Sequence, residues 1–168
     1  GRSPTEEEIL KALEGINPMP MIKRGMIYGL THLNEIRRSV EYGSTIIQVG
    51  DFGLGFRSYE ETGRQLTYLD IDLEDNDCRL LVIRGNHDYP AYWEGELNRR
   101  INDEFYRIEF IPDYTYRRID GKIFLFIGGA TSIDRGLRIP NRDWWEGEEF
   151  ELQERKINRK FDVLVTHG

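Results

Sequence analysis

Residues Leu80 to Ile83 form an unbroken apolar run, and Arg84-Gly85-Asn86-His87-Asp88 follows at once. A short apolar run bounded by turn residues reads as a strand buried on both faces, as in parallel sheets covered by helices. Such a strand, stopped by glycine and followed by amide, imidazole and carboxylate, places chemistry at the carboxyl edge of a sheet. Open α/β sheets bind ligands there. Taken alone, the same residues also read as a polar turn whose Asn and Asp bond to nearby backbone.

The arrangement recurs. Thr45 to Val49 is a β-branched, mostly apolar strand, and Gly50-Asp51-Phe52-Gly53 follows it. Lys122 to Ile127 is apolar after its first residue and stops at Gly128-Gly129. Phe161 to Val165 leads into Thr166-His167-Gly168. Gly25 to Gly29 reads as a short first strand and Arg107 to Ile111 as another. Asp120-Gly121, between Tyr114–Ile119 and Lys122–Ile127, is a two-residue hairpin turn. Helices are expected over Thr31–Tyr42, Ser58–Leu69, Ala91–Asn102 and Glu148–Arg159, the last charged and exposed. The acidic tract Asp70 to Asp77 reads as a solvated loop or frayed helix end, since it lacks the spacing of a calcium loop. Ser3-Pro4-Thr5-Glu6 starts an N-terminal helix that Gly15 ends, and Asn17 to Pro20 is an extended connector. Residues 1–24 are therefore expected to be a peripheral arm and residues 25–168 one α/β (α+β) domain.

A chain of 168 residues can bury a real core. Its net charge of −7 argues against a nucleic-acid binder held by bulk electrostatics, leaving nucleic acid a place only as substrate. One cysteine, Cys78, excludes an internal disulfide and a multi-cysteine zinc cluster, which suits a cytoplasmic setting. No apolar run approaches the roughly 18 residues of a membrane span. Arg84 reads as a buried ion-pair partner. Trp144-Trp145 read as packing residues or as the wall of a substrate pocket, and Arg135, Arg138 and Arg142 as solvated loop cations or as contacts to phosphate oxygens.

The strand-end residues Asp51, Asn86, His87, Asp88 and His167 together offer carboxylate oxygen, amide oxygen and imidazole nitrogen. That mixture suits Mn²⁺, iron or Zn²⁺ better than Ca²⁺ or a thiolate-bound metal. Each residue alone has an ordinary explanation, such as a helix cap or a satisfied structural histidine. Their conjunction, each after a strand, is harder to explain that way.

Gly50-Asp51, then Gly85-Asn86-His87-Asp88, then Thr166-His167-Gly168 resemble the successive motifs of the calcineurin-like metallophosphoesterase superfamily, over roughly Met26 to Gly168. The resemblance implies a β-sandwich of mixed sheets flanked by helices, with two divalent metals at the strand ends, manganese first and iron or zinc as alternatives. It implies that Asp51 bridges the metals and that Asn86 and His167 ligate the second. His87 would be the proton donor, oriented by Asp88. The implied reaction is hydrolysis of phosphomonoesters or phosphodiesters by a hydroxide that two metals activate.

Two departures stand out. The family opens with Asp-x-His, whereas Gly29-Leu30-Thr31-His32 has Leu30 where the Asp belongs, and His32 reads either as the surviving ligand or, preferably, as an ordinary residue of the following helix. The family's Gly-x-His segment, downstream of His167, has no counterpart in these residues. Either the sequence lacks pieces of the biological protein, so that the sandwich is incomplete, or the protein is a degenerate, non-catalytic binding module. The intact set Asp51, Asn86, His87, Asp88 and His167 favours the enzyme.

Overall fold

The computed structural model describes residues 42–53, 58–129 and 152–167. The expected N-terminal helix and connector, the strand at 25–29, most of the helix at 31–42, and Leu30, His32, Trp144, Trp145 and the three loop arginines lie outside these residues.

Two three-stranded sheets carry the fold. The first holds β1 (Thr45–Gln48), β2 (Arg79–Val82) and β3 (Ile108–Phe110), all parallel, in that order. The second holds β4 (Thr115–Ile119), β5 (Lys122–Ile127) and β6 (Val163–Thr166). β4 and β5 are antiparallel, and β5 and β6 are parallel. The hairpin turns on Asp120 (φ 48°) and Gly121 (φ 77°), both left-handed, as a two-residue turn between right-twisted strands requires.

Side-chain alternation divides the first sheet between two cores. Ile46, Leu80, Val82, Ile108 and Phe110 face a cluster completed by Leu66, Leu69, Leu73, Trp93 and Ile101. Ile47, Leu81, Ile83 and Ile111 face the other way and meet Phe124, Phe126, Val163 and Val165 of the second sheet. The result is a two-sheet sandwich with helices over the outer face of the first sheet.

Helix α1 (Tyr59–Asp75) begins at Ser58, whose hydroxyl accepts from the Glu61 backbone N–H at 3.2 Å. Its buried residues Thr62, Leu66, Leu69 and Leu73 form one stripe at helical spacing. That stripe corrects the reading of 70–77: the acidic tract is helical through Asp75, because Leu69 and Leu73 continue the buried face. The expected helix at 91–102 is also corrected. Pro90–Trp93 is a 3₁₀ turn, and α2 (Gly95–Glu104) starts afresh after extended Glu94. The Trp93 indole N–H donates to the Val82 carbonyl at 2.9 Å, turning the ring inward, and Gly95 reverses the chain at φ 68°. In the expected helix at 148–159, the described part from 152 holds only the 3₁₀ turn Glu154–Lys156. The Asn158 and Arg159 amides go to the Tyr116 hydroxyl instead of to helical carbonyls, at 3.1 and 3.3 Å.

Candidate metal centre at the strand ends

β1, β2 and β6 end at the same side of the sandwich, and their following residues meet. Gly50 (φ 99°) and Asp51 (φ 52°) are consecutive left-handed residues that turn the chain sharply after β1. Asp is among the few side chains that tolerate this region, at some cost in strain. The turn buries Asp51. Its Oδ1 accepts the His87 backbone N–H at 3.2 Å and lies 3.5 Å from His167 Nε2. His167 Nε2 is also 2.8 Å from Asn86 Oδ1. Residues 51, 86 and 167 thus share one point, across sequence separations of 35 and 81.

Two glycines make that approach possible. A Cβ on Gly85 would collide with the backbone N and Oδ1 of Asp51. A Cβ on Gly50 would collide with the His167 ring and sit 2.8 Å from Gly85 Cα. The loops after β1 and β2 meet backbone to backbone at Gly50 and Gly85, and the His167 ring packs against Gly50.

The protonation of His167 follows from its neighbours. Nδ1 lies 2.7 Å from the Val49 carbonyl, which only accepts, so Nδ1 carries a proton. In the neutral ring Nε2 then presents its lone pair to two oxygens, Asn86 Oδ1 and Asp51 Oδ1. Three electron-pair donors facing one another are repulsive unless a second proton or a cation joins them. One carboxylate, one amide and one imidazole form a set that divalent transition metals accept. The Val49 carbonyl orients the imidazole as the outer partner of a metal-binding histidine does. Among the described residues, no group of three or more His, Cys, Asp or Glu side chains is arranged to hold a metal. The set here has two such residues plus the amide.

Asp88 is fully buried. Its Oδ2 accepts from the backbone N–H of Gly85 at 2.9 Å and of Phe52 at 3.2 Å. Its Oδ1 accepts from Gly53 N–H at 2.7 Å. This carboxylate ties the loop after β1 to the loop after β2. Burial raises its pKa above the ordinary value, the Gly85, Gly53 and Phe52 amides oppose that rise, and the charge of Asp51 adds to it. His87 is half-buried, and its backbone is anchored to Asp51.

Arg84 bears out its reading as a buried ion-pair partner. Its guanidinium reaches Asp113 Oδ2 at 3.0 Å, and Asp113 Oδ1 accepts from Gly128 N–H at 2.9 Å. Gly129 N–H donates to the Arg84 carbonyl at 2.7 Å. This clasp joins the end of β2 to the end of β5, one sheet to the other. The sequence reading left out the Val49 carbonyl and Asp113. The first is a backbone atom without a residue signature, and the second is one acid among many until the fold sets it beside Arg84.

Compared with known proteins, residues 27–168 match the family model described as calcineurin-like phosphoesterase. No curated protein matches the chain.

Proposed function

This chain belongs to the calcineurin-like phosphoesterase family, a family of metal-dependent hydrolases of phosphate esters, and from that premise we propose that it hydrolyses phosphomonoesters or phosphodiesters. We propose two divalent cations as cofactors, manganese first. The observation that carries this reading is the convergence of Asp51, Asn86 and His167 on one point, with Nε2 of His167 facing two acceptor oxygens. No helix among the described residues is long and apolar enough to cross a membrane. A cytoplasmic setting stays part of the proposal.

Asp51, Asn86 and His167 would hold metal. When bound, divalent cations neutralise phosphate charge and lower the pKa of water toward neutrality. The chain's own residues divide the remaining work. The amide of Asn86 adds no negative charge opposite an incoming phosphate. Val49 holds the His167 ring so that Nε2 points inward. His87 gives its proton to the departing alkoxide, the general-acid task that histidine fills most often. Asp88 supports His87 by fixing the loop that carries it, through its hydrogen bonds to Gly85, Phe52 and Gly53.

The test is Mn²⁺-stimulated hydrolysis of an aryl phosphate, with metal content measured in parallel. Asp51→Asn and Asn86→Ala should lose both metal and activity. His87→Ala should keep its metal and lose turnover by about 10²-fold or more, in line with general-acid contributions. Full activity in His87→Ala would remove it from the mechanism. Hydrolysis undiminished by a chelator would remove the metal. Leu30, standing where the family has aspartate, favours a second reading as a binding module without turnover. One metal per chain or none, together with no hydrolysis, would select that reading.

A further inference from the structure

The outer side of β4 carries a second polar cavity. It is open, has a volume of about 590 Å³, and is lined by Tyr114, Tyr116, Arg155, Lys156, Asn158 and Arg159. None of these residues belongs to the metal centre. Three of the six are cations, in a chain whose net charge is −7. Among the described residues, no carboxylate lines the cavity. Among the described residues, none of the three cations forms an ion pair.

The tyrosines hold this basic segment in place by two means. Their hydroxyl oxygens accept backbone N–H groups, Tyr114 from Gln153 at 2.8 Å and Tyr116 from Asn158 and Arg159 at 3.1 and 3.3 Å. Their ring faces carry the cations, with Lys156 Nζ 5.3 Å from the Tyr114 centroid and Arg159 Cζ 5.7 Å from that of Tyr116. An aromatic face attracts a cation without neutralising it. The ammonium and guanidinium groups therefore keep their charge and their outward N–H donors, and part of their ordering cost is met before a ligand arrives. Like charges gathered this way favour an anion that spans them.

We propose that this cavity binds an anion carrying two or more adjacent phosphate groups, such as a diphosphate or the diphosphate end of a nucleotide. Three cations spread over the cavity match a diphosphate better than a single phosphate. Guanidinium groups at two of the three positions suit phosphate oxygens through paired N–H donors.

Calorimetric titration of the full chain with sodium pyrophosphate tests this, without added metal and in the wild-type and Asn86→Ala proteins. Pyrophosphate should bind both with similar affinity, and inorganic phosphate at least about tenfold more weakly. The double variant Lys156→Gln/Arg159→Gln should weaken pyrophosphate binding by about tenfold or more, the loss of charge-assisted hydrogen bonds. Lys156 and Arg159 are both exposed, so the melting temperature of the double variant should not move. Tyr116→Phe keeps every charge but frees the segment, and should weaken binding severalfold. ADP should bind and adenosine should not. Unchanged affinity in the double variant would overturn the proposal. So would loss of pyrophosphate binding in Asn86→Ala alone, which would move the ligand to the metal centre. Adenosine binding as well as ADP would overturn the phosphate recognition itself.

Discussion

The two sheets contribute unequally to the candidate metal centre. The first supplies Asp51 and Asn86 from neighbouring parallel strands, and Asp88 ties their loops with three backbone hydrogen bonds. Among the described residues the second supplies only His167, and that ring is held by the carbonyl of Val49, which follows β1 of the first sheet. Half of the centre is thus organised within one layer, and the other half depends on how two layers pack. The buried phenylalanines Phe124 and Phe126 and the Arg84–Asp113 clasp set that packing. Close packing at the strand ends is strict on one side and cumulative on the other. A single added methyl should defeat the first half, whereas the second should weaken in proportion to the core removed.

Gly85→Ala should be the most severe break. Its methyl meets Asp51 backbone, which cannot rotate away, and the expected loss is roughly 4 kcal/mol or more. Urea unfolding would show it, and any folded fraction should not bind Mn²⁺. A stable, metal-binding Gly85→Ala protein would mean that the two loops do not meet as described.

Phe124→Ala attacks the contact between sheets. Loss of a fully buried phenylalanine should cost about 3–4 kcal/mol. If the layers share the site, metal affinity should fall with stability although residue 124 is not a ligand. Unchanged affinity in the folded fraction would show that His167 is held by the first sheet alone.

Asp88→Ala separates bracing from chemistry. Three backbone amides would lose their buried acceptor, at a cost of about 2–3 kcal/mol. His87→Ala should leave stability within about 0.5 kcal/mol, because its anchoring N–H is backbone. Equal stability in the two variants would contradict the brace.

The smallest effect serves as a control far from both halves. The Tyr59 hydroxyl donates to Glu104 at 2.6 Å, joining α1 to α2. Burial and that carboxylate raise its pKa from the ordinary tyrosine value to about 12. The fold therefore prefers the neutral phenol. Its contribution to stability is whole below the unfolded-state value near ~10 and disappears as the pH climbs toward the folded value. Stability should fall over that window in the wild type, with the step absent in Tyr59→Phe, and the difference between the two should be small. Equal alkaline profiles would remove Tyr59 from the helix contact.

Much of this was legible in the residues. Apolar runs leading into glycine or a polar residue marked β1, β2, β5 and β6, because a strand buried on both faces needs apolar side chains at consecutive positions. Asp120-Gly121 marked the hairpin, because few residue pairs accept two left-handed conformations. Asp51, Asn86 and His167 were legible as candidate ligands through their place after strands, and the fold brings the three together. Helix limits were less so. The stripe through Leu69 and Leu73 overrode an acidic tract that reads as loop, and Trp93 turned toward the Val82 carbonyl and broke a helix that spacing alone would continue. The phenol of Tyr116 took amides that a helix over 148–159 would have used.

The amino-acid order by itself determined the strands, the turn that joins β4 to β5, and the kinds of donor atom available at the strand ends. Those are local matters of steric fit, apolar periodicity and functional-group chemistry. Tertiary structure alone decided that Val49 orients His167, that Asp88 bridges two loops, that Arg84 finds Asp113, and that Lys156 and Arg159 lie over two tyrosines. Each of these depends on backbone groups or side chains distant in the chain, whose meeting is set by the packing of whole layers.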